Sequence, residues 1–548
     1  MWQQEHRRFM DRERFRPRRY TQLTTMSENG ECESSIRFII RSMMLDSDSC
    51  YQAIKAHDAR FDGRFFTGVT STKIYCRPVC TAKVPKRENC QFYPSAAAAE
   101  SEGFRPCLRC RPELAPGNAS IDSSARIAQS AASLIEDGAV NGSGFEELAL
   151  RLGVTDRHLR RLFFDAFGVA PIDFAQTQRL LLAKRLLTDT KLSVTDVAFA
   201  SGFQSLRRFN ALFKERYRLA PSALRKSANA STFSDEFIFE LAYRPPYDWP
   251  HLLSFLGNRS IAGVEMIEGK TYRRGVKIDA KEVSHRGWIA VTQHKTKSVL
   301  SVRISASLAR VLPQVMSRVK QLFDLACQPA EISAALRELA QGNDGVRLPG
   351  AFDGFELAVR AVLGQQITVR AATTLAGRFA AAFGDEIATP YAGITRTFPT
   401  ADRIATLTVD EIARLGIIAA RTRTIIALAQ QIAAGELLLD PSADVDATIA
   451  QLRAIPGIGD WTAQYIAMRA LRWPDAFPSG DVALHKALGV QDHKQPARAA
   501  EAQSALWRPW RSYAVLRAWS TLPASPPLAH PTSAPAPGRR STTRKPAP

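Results

Sequence analysis

Gly68-Val-Thr-Ser-Thr-Lys-Ile-Tyr-Cys76-Arg77-Pro78-Val79-Cys80 is followed, after an interval of 26 residues, by Cys107 and Cys110 in Gly103-Phe-Arg-Pro-Cys107-Leu-Arg-Cys110-Arg111-Pro112. Two close cysteine pairs in one compact stretch point to a tetrathiolate zinc site, because each pair supplies two ligands from a tight turn and together they close a tetrahedron. Arg77, Arg105, Arg109 and Arg111 line the ligand loops and invite a phosphate backbone. Of the eight cysteines, Cys32, Cys50, Cys90 and Cys327 lack partner spacing and are expected to be ordinary residues. A zinc–thiolate site rather than a disulfide framework fits a reducing cytoplasm.

Working outward, 548 residues exceed what one core usually holds, so several domains are expected. A net charge of +20 points to a polyanionic partner. No apolar run reaches membrane-spanning length and no secretory signal opens the chain, which argues against a membrane partner. Residues 1–44 carry Arg7, Arg8, Arg12, Arg14, Arg16, Arg18 and Arg19 without apolar periodicity and are expected to be a disordered basic extension, with Met43 or Met44 as an alternative translation start. A mitochondrial-type presequence is the other reading of this segment, and Glu5, Asp11 and Glu13 argue against it. Residues 522–548, rich in Pro, Ala and Ser, are expected to be a flexible tail.

Four segments lie between these ends. Residues 45–118 hold the cysteines, and a Ser/Ala-rich joint near 119–124 leads into a helical region over 125–227. A second joint at Ala228–Ser234 precedes an alternating, strand-like pattern over 235–311, as in Tyr272-Arg-Arg-Gly-Val-Lys-Ile and Trp288-Ile-Ala-Val. Helical spacing dominates 312–521.

The segment 125–227 contains a quasi-repeat. Leu152-Gly-Val-Thr155 leads to His158-Leu-Arg-Arg-Leu-Phe and ends in Gly168-Val-Ala-Pro171. Ser201-Gly-Phe-Gln-Ser205 leads to Arg207-Arg-Phe209 and ends at Leu219-Ala-Pro221. In each copy an apolar helix stops at a glycine turn and an arginine-bearing helix follows, the logic of a helix-turn-helix that offers its second helix to the major groove. The segment resembles the AraC-type DNA-binding domain. The resemblance implies recognition helices at Thr155–Phe164 and Gln204–Phe213, with Arg157, His158, Arg160, Ser205, Arg207 and Arg208 facing DNA. Beside it, residues 45–118, including Phe65-Phe66-x-Gly68-Val-x-Ser71-Thr72, resemble the N-terminal domain of the Ada methylation-response regulator. That resemblance implies that Cys76 accepts a methyl group from a DNA methylphosphotriester and that the ligands of a single zinc ion are Cys76, Cys80, Cys107 and Cys110. A thiolate is the nucleophile, and zinc keeps it deprotonated at neutral pH.

In the C-terminal half, Leu452-Arg-Ala-Ile-Pro456-Gly457-Ile458-Gly459-Asp460-Trp461-Thr462-Ala463 resembles the helix-hairpin-helix of the DNA glycosylase superfamily. Gly457 and Gly459 let backbone N–H groups approach a phosphate at a helix N-terminus. The continuation to Pro478-Ser-Gly-Asp481 supplies the carboxylate this resemblance leads one to expect, Asp481, with Asp475 as a local rival whose setting reads as a turn. Members that cleave the strand place a lysine after the hairpin. Trp461 stands there, so a monofunctional enzyme is expected. Cys327 is the lone cysteine beyond Cys110, so no iron–sulfur cluster is expected.

Leu241-Ala-Tyr-Arg-Pro-Pro-Tyr247-Asp-Trp249-Pro-His-Leu-Leu-Ser-Phe255 resembles the start of the AlkA-type 3-methyladenine glycosylase and Pro509-Trp-Arg-Ser-Tyr513 to Trp519 its end, over residues 235–521. By position Phe255, Trp461, Tyr465 and Trp519 would line a base pocket, where electron-rich rings hold a flipped cationic base. Two positions depart from the pattern. Val482 follows Asp481 where the family's best-known member has an aromatic, and Gln366, in Leu363-Gly-Gln-Gln-Ile367, takes the place of an apolar wedge that fills the gap left by the flipped base.

The expected architecture is multidomain α+β: an Ada-type zinc module, an all-α double helix-turn-helix, a small β-rich domain and a helical helix-hairpin-helix glycosylase domain. The expected partners are double-stranded DNA and RNA polymerase, and the expected state is a monomer in a bacterial cytoplasm, associated with the nucleoid. Direct repair of O6-alkylguanine would need a Pro-Cys-His-Arg motif, which the sequence lacks. Two function classes stay open from the residues: an alkylation sensor fused to an active glycosylase, or a regulator whose glycosylase half only holds DNA.

Overall fold

The computed structural model describes residues 46–117, 123–140, 144–225, 235–280 and 283–522. The basic extension with its alternative starts, most of the joint at 119–124, the joint at 228–234 and the tail beyond Leu522 lie outside the described residues. Contacts divide the chain into a unit ending at Cys50 and a unit beginning at Tyr51. The described part of the first opens the helix Ser47–Lys55. The second contains both sheets and all the sites.

Strands β1 (Phe66–Val69), β2 (Ile74–Cys76), β3 (Cys90–Tyr93) and β4 (Arg105–Pro106) form one sheet in the order β3-β1-β2-β4. A four-residue turn joins β1 to β2, and β4 runs parallel to β2 with Tyr75 opposite Pro106. This register sets Cys107 beside Cys76, and the Cys107 N–H donates to the Tyr75 carbonyl at 3.0 Å. A side chain at position 68 would meet the rings of Tyr93 and Phe104 at 2.8 and 2.9 Å, which is why β1 carries glycine there.

The helical region has the doubled form expected. Helix Phe145–Arg151 turns at Gly153 into Asp156–Phe167, and Val194–Ala200 turns at Gly202 into Leu206–Tyr217, with the long helix Pro171–Asp189 between the two copies. Thr155 and Ser205 cap the two second helices, accepting from the backbone N–H groups of His158 and Arg208.

Beyond it, β5 (Glu236–Ala242), β6 (Glu265–Glu268), β7 (Thr271–Ala280), β8 (Val283–Gln293) and β9 (Val299–Ser305) form an antiparallel sheet in the order β5-β9-β8-β7-β6. The expected strand pattern is interrupted by a helix, Trp249–Gly257. Asp248 caps it by accepting from His251 N–H at 3.0 Å, and Pro250 lies in its first turn, where a missing N–H costs nothing. A bundle of helices from Leu312 to Ser520 completes the chain around a core that includes Phe355, Val362, Phe379, Leu452, Ile466 and Leu516.

The zinc module is seated on the helix-turn-helix region through buried charge. Glu100 is 4% exposed and accepts from Tyr75 Oη and Thr177 Oγ1, both at 3.0 Å. Lys184 on the long helix donates to Glu113 at 2.6 Å, and Arg111 pairs with Asp189 at 2.6 Å. One apolar core joins the second helix-turn-helix copy to the antiparallel sheet, including Leu186, Phe209 and Phe213 with Phe237 and Phe239.

Burial pushes the Glu100 carboxyl up to about 7, against the hydrogen bonds from Thr177 and Tyr75 that pull it down. A carboxyl that holds its proton more tightly folded than unfolded stabilises the fold fully below its ordinary value of 4.5, and that contribution is lost as pH rises toward about 7. The loss amounts to about 3 kcal/mol at most. Glu100→Gln removes the titrating group, so its thermal midpoint is expected to fall less than that of wild type over this pH window.

Candidate functional site

The sulfurs of Cys76, Cys80, Cys107 and Cys110 all lie within 4.8 Å of one another. A tetrahedral zinc with bonds of about 2.3 Å separates its sulfurs by about 3.8 Å, so these residues fit one ion in number, donor type and spacing. Cys80 and Cys107 are buried, while Cys76 and Cys110 are half-buried. The Arg77 N–H donates to Cys110 Sγ at 3.4 Å, and the N–H groups of Ala82 and Cys110 face Cys80 and Cys107. Among the described residues no backbone N–H is directed at Cys76 Sγ.

Two of the arginines read from sequence as lining these loops have other roles. Arg77 is 7% exposed, forms an ion pair with buried Asp62 and donates to the Cys110 carbonyl at 3.1 Å, so it braces the ligand loops from beneath instead of facing a phosphate. Arg111 is engaged by Asp189 and Glu113. Arg105 and Arg109 are exposed beside Leu108, which is itself 59% exposed.

On the two second helices of the helix-turn-helix copies, Arg157, Arg160, Arg207 and Arg208 are exposed and His158 is half-buried. Arg160 pairs with Asp156 at 2.7 Å, and Ser205 uses its hydroxyl oxygen as the helix cap. Phe163, Phe209 and Phe213 lie fully buried on the opposite faces, so each helix is anchored by rings and presents its basic side outward.

In the C-terminal half the hairpin falls where the sequence indicated, between helices Val445–Ala454 and Asp460–Arg469. At Gly457, with φ of +94°, a side chain would strike Thr424 Oγ1 at 2.2 Å, so the backbone conformation and the close approach both require glycine. Gln365 binds this hairpin, donating through Nε2 to the Gly457 carbonyl at 2.8 Å and to Thr462 Oγ1 at 3.0 Å. Its neighbour Gln366 is exposed at a φ of +56°, at the tip of the loop.

Asp481 caps the helix Val482–Ala487 and is held by three donors. Leu484 N–H and Trp519 Nε1–H reach Oδ1 at 2.6 and 3.0 Å, and Trp461 Nε1–H reaches Oδ2 at 2.9 Å. The cap and the indole contacts are one arrangement, and Oδ2 keeps the freer lone pair. His485 steadies the loop by donating to the Ser479 carbonyl at 2.6 Å. Trp461 stacks on Tyr465 with centroids 5.4 Å apart and planes 5° from parallel. Arg469 donates to Tyr465 Oη at 2.7 Å and lies 5.1 Å from the ring of Phe255, which links the fourth expected ring to the set. Arg259 stacks on Phe255 at 3.8 Å. Arg259, Arg469 and Gln365 were not read from the sequence, although Arg469 lies four residues after Tyr465 on the same helix and so on its face. Asp475 is a structural residue: it is 4% exposed and takes Arg511 through Nε at 2.8 Å and Nη2 at 2.9 Å, with Arg508 at 3.1 Å. Val482 is 77% exposed.

A protein of Mycobacterium tuberculosis (strain H37Rv), described as a probable bifunctional transcriptional activator/DNA repair enzyme AlkA, is 37% identical over 490 residues, covering 87% of this chain and 97% of that protein. The chain belongs to the Ada–AlkA fusion family. Its parts match four family descriptions: the metal binding domain of Ada over residues 49–113, a helix-turn-helix domain over 148–227, the AlkA N-terminal domain over 238–353, and the HhH-GPD superfamily base excision DNA repair protein over 359–512. DNA-3-methyladenine glycosylase 2 of Escherichia coli K12 is 33% identical over 284 residues, 52% of this chain and 97% of that protein. The bifunctional transcriptional activator/DNA repair enzyme Ada of the same strain is 34% identical over 163 residues, 30% of this chain and 44% of that protein. The Ada–AlkA fusion thus joins a four-cysteine zinc module and two DNA-binding architectures in one chain. Among the described residues no helix is long and apolar enough to cross a membrane.

The two neighbouring aspartates should separate cleanly. Asp475→Ala leaves buried Arg511 with Glu501 as its one carboxylate partner and is expected to cost about 2–3 kcal/mol in chemical unfolding, whereas Asp481→Asn should leave the unfolding free energy within about 1 kcal/mol of wild type.

Proposed function

We propose that this protein both senses and repairs DNA alkylation: Cys76 accepts a methyl group from a methylphosphotriester, the helix-turn-helix pair regulates transcription with RNA polymerase as partner, and the C-terminal half hydrolyses the N-glycosidic bond of 3-methyladenine and 7-methylguanine type bases. The observation that carries the enzymatic reading is the carboxylate of Asp481, fixed by two indole N–H groups at the end of the hairpin segment.

The chemistry follows from these groups. A cationic alkylpurine is already a good leaving group. As its C1′–N bond breaks, the bonding electrons neutralise the base and positive charge develops on the sugar. Asp481 stabilises that charge and takes the proton of the water that adds to C1′. Trp461, Tyr465, Trp519 and Phe255 supply rings for the extruded base, and Gln366 occupies the gap it leaves. With Trp461 where a Schiff-base lysine would stand, the reaction ends at an abasic site and the enzyme is monofunctional.

At the other end, bound zinc keeps the four sulfurs as thiolates. Cys76 Sγ attacks the methyl carbon, the carbon–oxygen bond breaks, and the phosphodiester leaves with the electron pair and its restored negative charge. Exposed Arg105 and Arg109 hold the adjoining backbone. Methylation also removes one negative charge from the cysteine cluster. At about 6 Å from a phosphate and an effective dielectric of about 20, this strengthens DNA binding by roughly 2–3 kcal/mol before salt screening. The protein acts as a monomer in the cytoplasm, at the nucleoid.

Wild type is expected to release alkylated bases from duplex DNA, scored as abasic sites without strand breaks, and Asp481→Asn to lose at least about a hundredfold in rate. No release by folded, zinc-loaded wild type would make the C-terminal half a DNA clamp attached to a regulator. After incubation with DNA bearing methylphosphotriesters, the peptide containing Cys76 should gain the mass of one methyl group, and no gain would sink the sensing role.

A further inference from the structure

The wall of the base pocket carries buried positive charge that no carboxylate answers. Arg469, 5% exposed, donates to the carbonyls of Pro349 and Gly350 at 2.9 and 3.0 Å and to Tyr465 Oη at 2.7 Å. Arg259 donates to the Phe255 carbonyl at 3.2 Å, and its guanidinium carbon sits 3.8 Å from the centroid of that ring. Carbonyls and rings satisfy a guanidinium's donors without cancelling its charge. Behind these two lies a compact ionic cluster in which Arg360 pairs with Glu265 at 2.7 Å and Glu356 at 2.9 Å, and Arg274 pairs with Glu356 at 2.6 Å. Around the cavity that these residues line, four guanidiniums, those of Arg259, Arg274, Arg360 and Arg469, face three carboxylates, those of Glu265, Glu356 and Asp353.

Asp481 is the one carboxylate held by these rings, and the positive charge on the opposite wall works against its hold on the cationic purine that the enzyme is proposed to excise. One group is placed to reverse it. Tyr465 Oη accepts from Arg469 and lies in the field of Arg259, and its ring lies against Trp461, whose indole holds Asp481. We propose that Tyr465, held between Arg469 and Arg259, is an ionisable wall of the pocket whose phenolate offsets those guanidiniums and selects cationic over neutral purines. This rests on the glycosylase reading and adds to it a specificity-determining assembly of Tyr465, Arg259 and Arg469. The groups facing the phenol are Arg469 on its own helix, Arg259 beyond the end of Trp249–Gly257 and, more remotely, Arg360 on Gly354–Leu363. Burial pushes the phenol up, but Arg469 and then Arg259 outweigh it and leave Tyr465 below the ordinary tyrosine value. Burial has the opposite outcome at Tyr75, Tyr217, Tyr247, Tyr272 and Tyr513, each held well above it.

Tyr465→Phe keeps the ring and its stack and removes the oxygen. With the full, zinc-loaded chain, single-turnover release of 7-methylguanine, a cation, is compared with release of hypoxanthine, which is neutral. The expected result is a fall of about tenfold in the preference for the cation, as one partly screened charge at this range gives. A gain of hypoxanthine release by the variant alone counts as the same shift. Ultraviolet titration of tyrosinate should also show one phenol in wild type ionising ahead of the rest and absent from the variant. An equal loss on both bases, or an early-titrating phenol that persists in Tyr465→Phe, overturns the wall while leaving the glycosylase reading intact. Release of neither base by wild type overturns both.

Discussion

Three N–H groups converge on the carboxylate of Asp481, and much of the packing of the C-terminal half serves to keep them there. Leu484 is local, but Trp461 comes from the helix after the hairpin and Trp519 from the last helix of the chain. The last helix is fixed at its start by Arg511 on Asp475 and by Ser512, whose hydroxyl donates to the Trp473 carbonyl at 2.7 Å and the Ala476 carbonyl at 3.1 Å. The hairpin helix is fixed by Arg469 on the carbonyls of Pro349 and Gly350. Buried ion pairs are weak evidence for stability in themselves. Here the geometric effect of the Arg511–Asp475 pair and of the Arg469–carbonyl contacts is plain, since each pins the helix that carries one of the indoles.

A comparable economy operates around the hairpin. Gln365 ties the loop that bears Gln366 to the Gly457 carbonyl and Thr462, so the residue that would fill the DNA gap is indexed to the element that would grip the backbone. A wedge on a free loop would lose much of its push to loop entropy. The same principle joins the two halves. Arg151 pairs with Asp440 at 2.7 Å and Lys320 with Glu136 at 2.9 Å, contacts made by helices other than the two that present basic faces. Arg157, Arg160, Arg207 and Arg208 on the two second helices and Gln366 in its loop stay exposed.

At the sensor end the four sulfurs are organised by sheet register as much as by the metal. Tyr75, opposite Pro106 on β4, lies one residue before Cys76 and also donates to Glu100 in the seat against the helix-turn-helix. Cys76, the proposed methyl acceptor, is therefore one peptide away from a buried contact that ends on Thr177 of the long helix.

The sequence by itself determined the parts whose meaning lies in short-range spacing. The four cysteines, the doubled helix-turn-helix and the glycine hairpin were legible because turns, caps and helix periodicity act over a few residues, whereas Asp481 was reached through the family resemblance. Tyr465 with Arg469 shares that grammar, four residues apart on one helical face, though only the ring was read from the sequence. Asp248-Trp-Pro, a cap followed by a first-turn proline, marked a helix that the surrounding strand pattern concealed. What only the tertiary structure decided is which groups lose water and to whom they turn. Arg77 sits among the cysteines in sequence, yet in space it is buried on Asp62. Asp475 looked like a turn residue and is the partner of Arg511, 36 residues away. Trp519 finds Asp481 across 38 residues. The energy of a charge depends on its burial and its nearest opposite charge, and both are properties of through-space packing that no local spacing encodes.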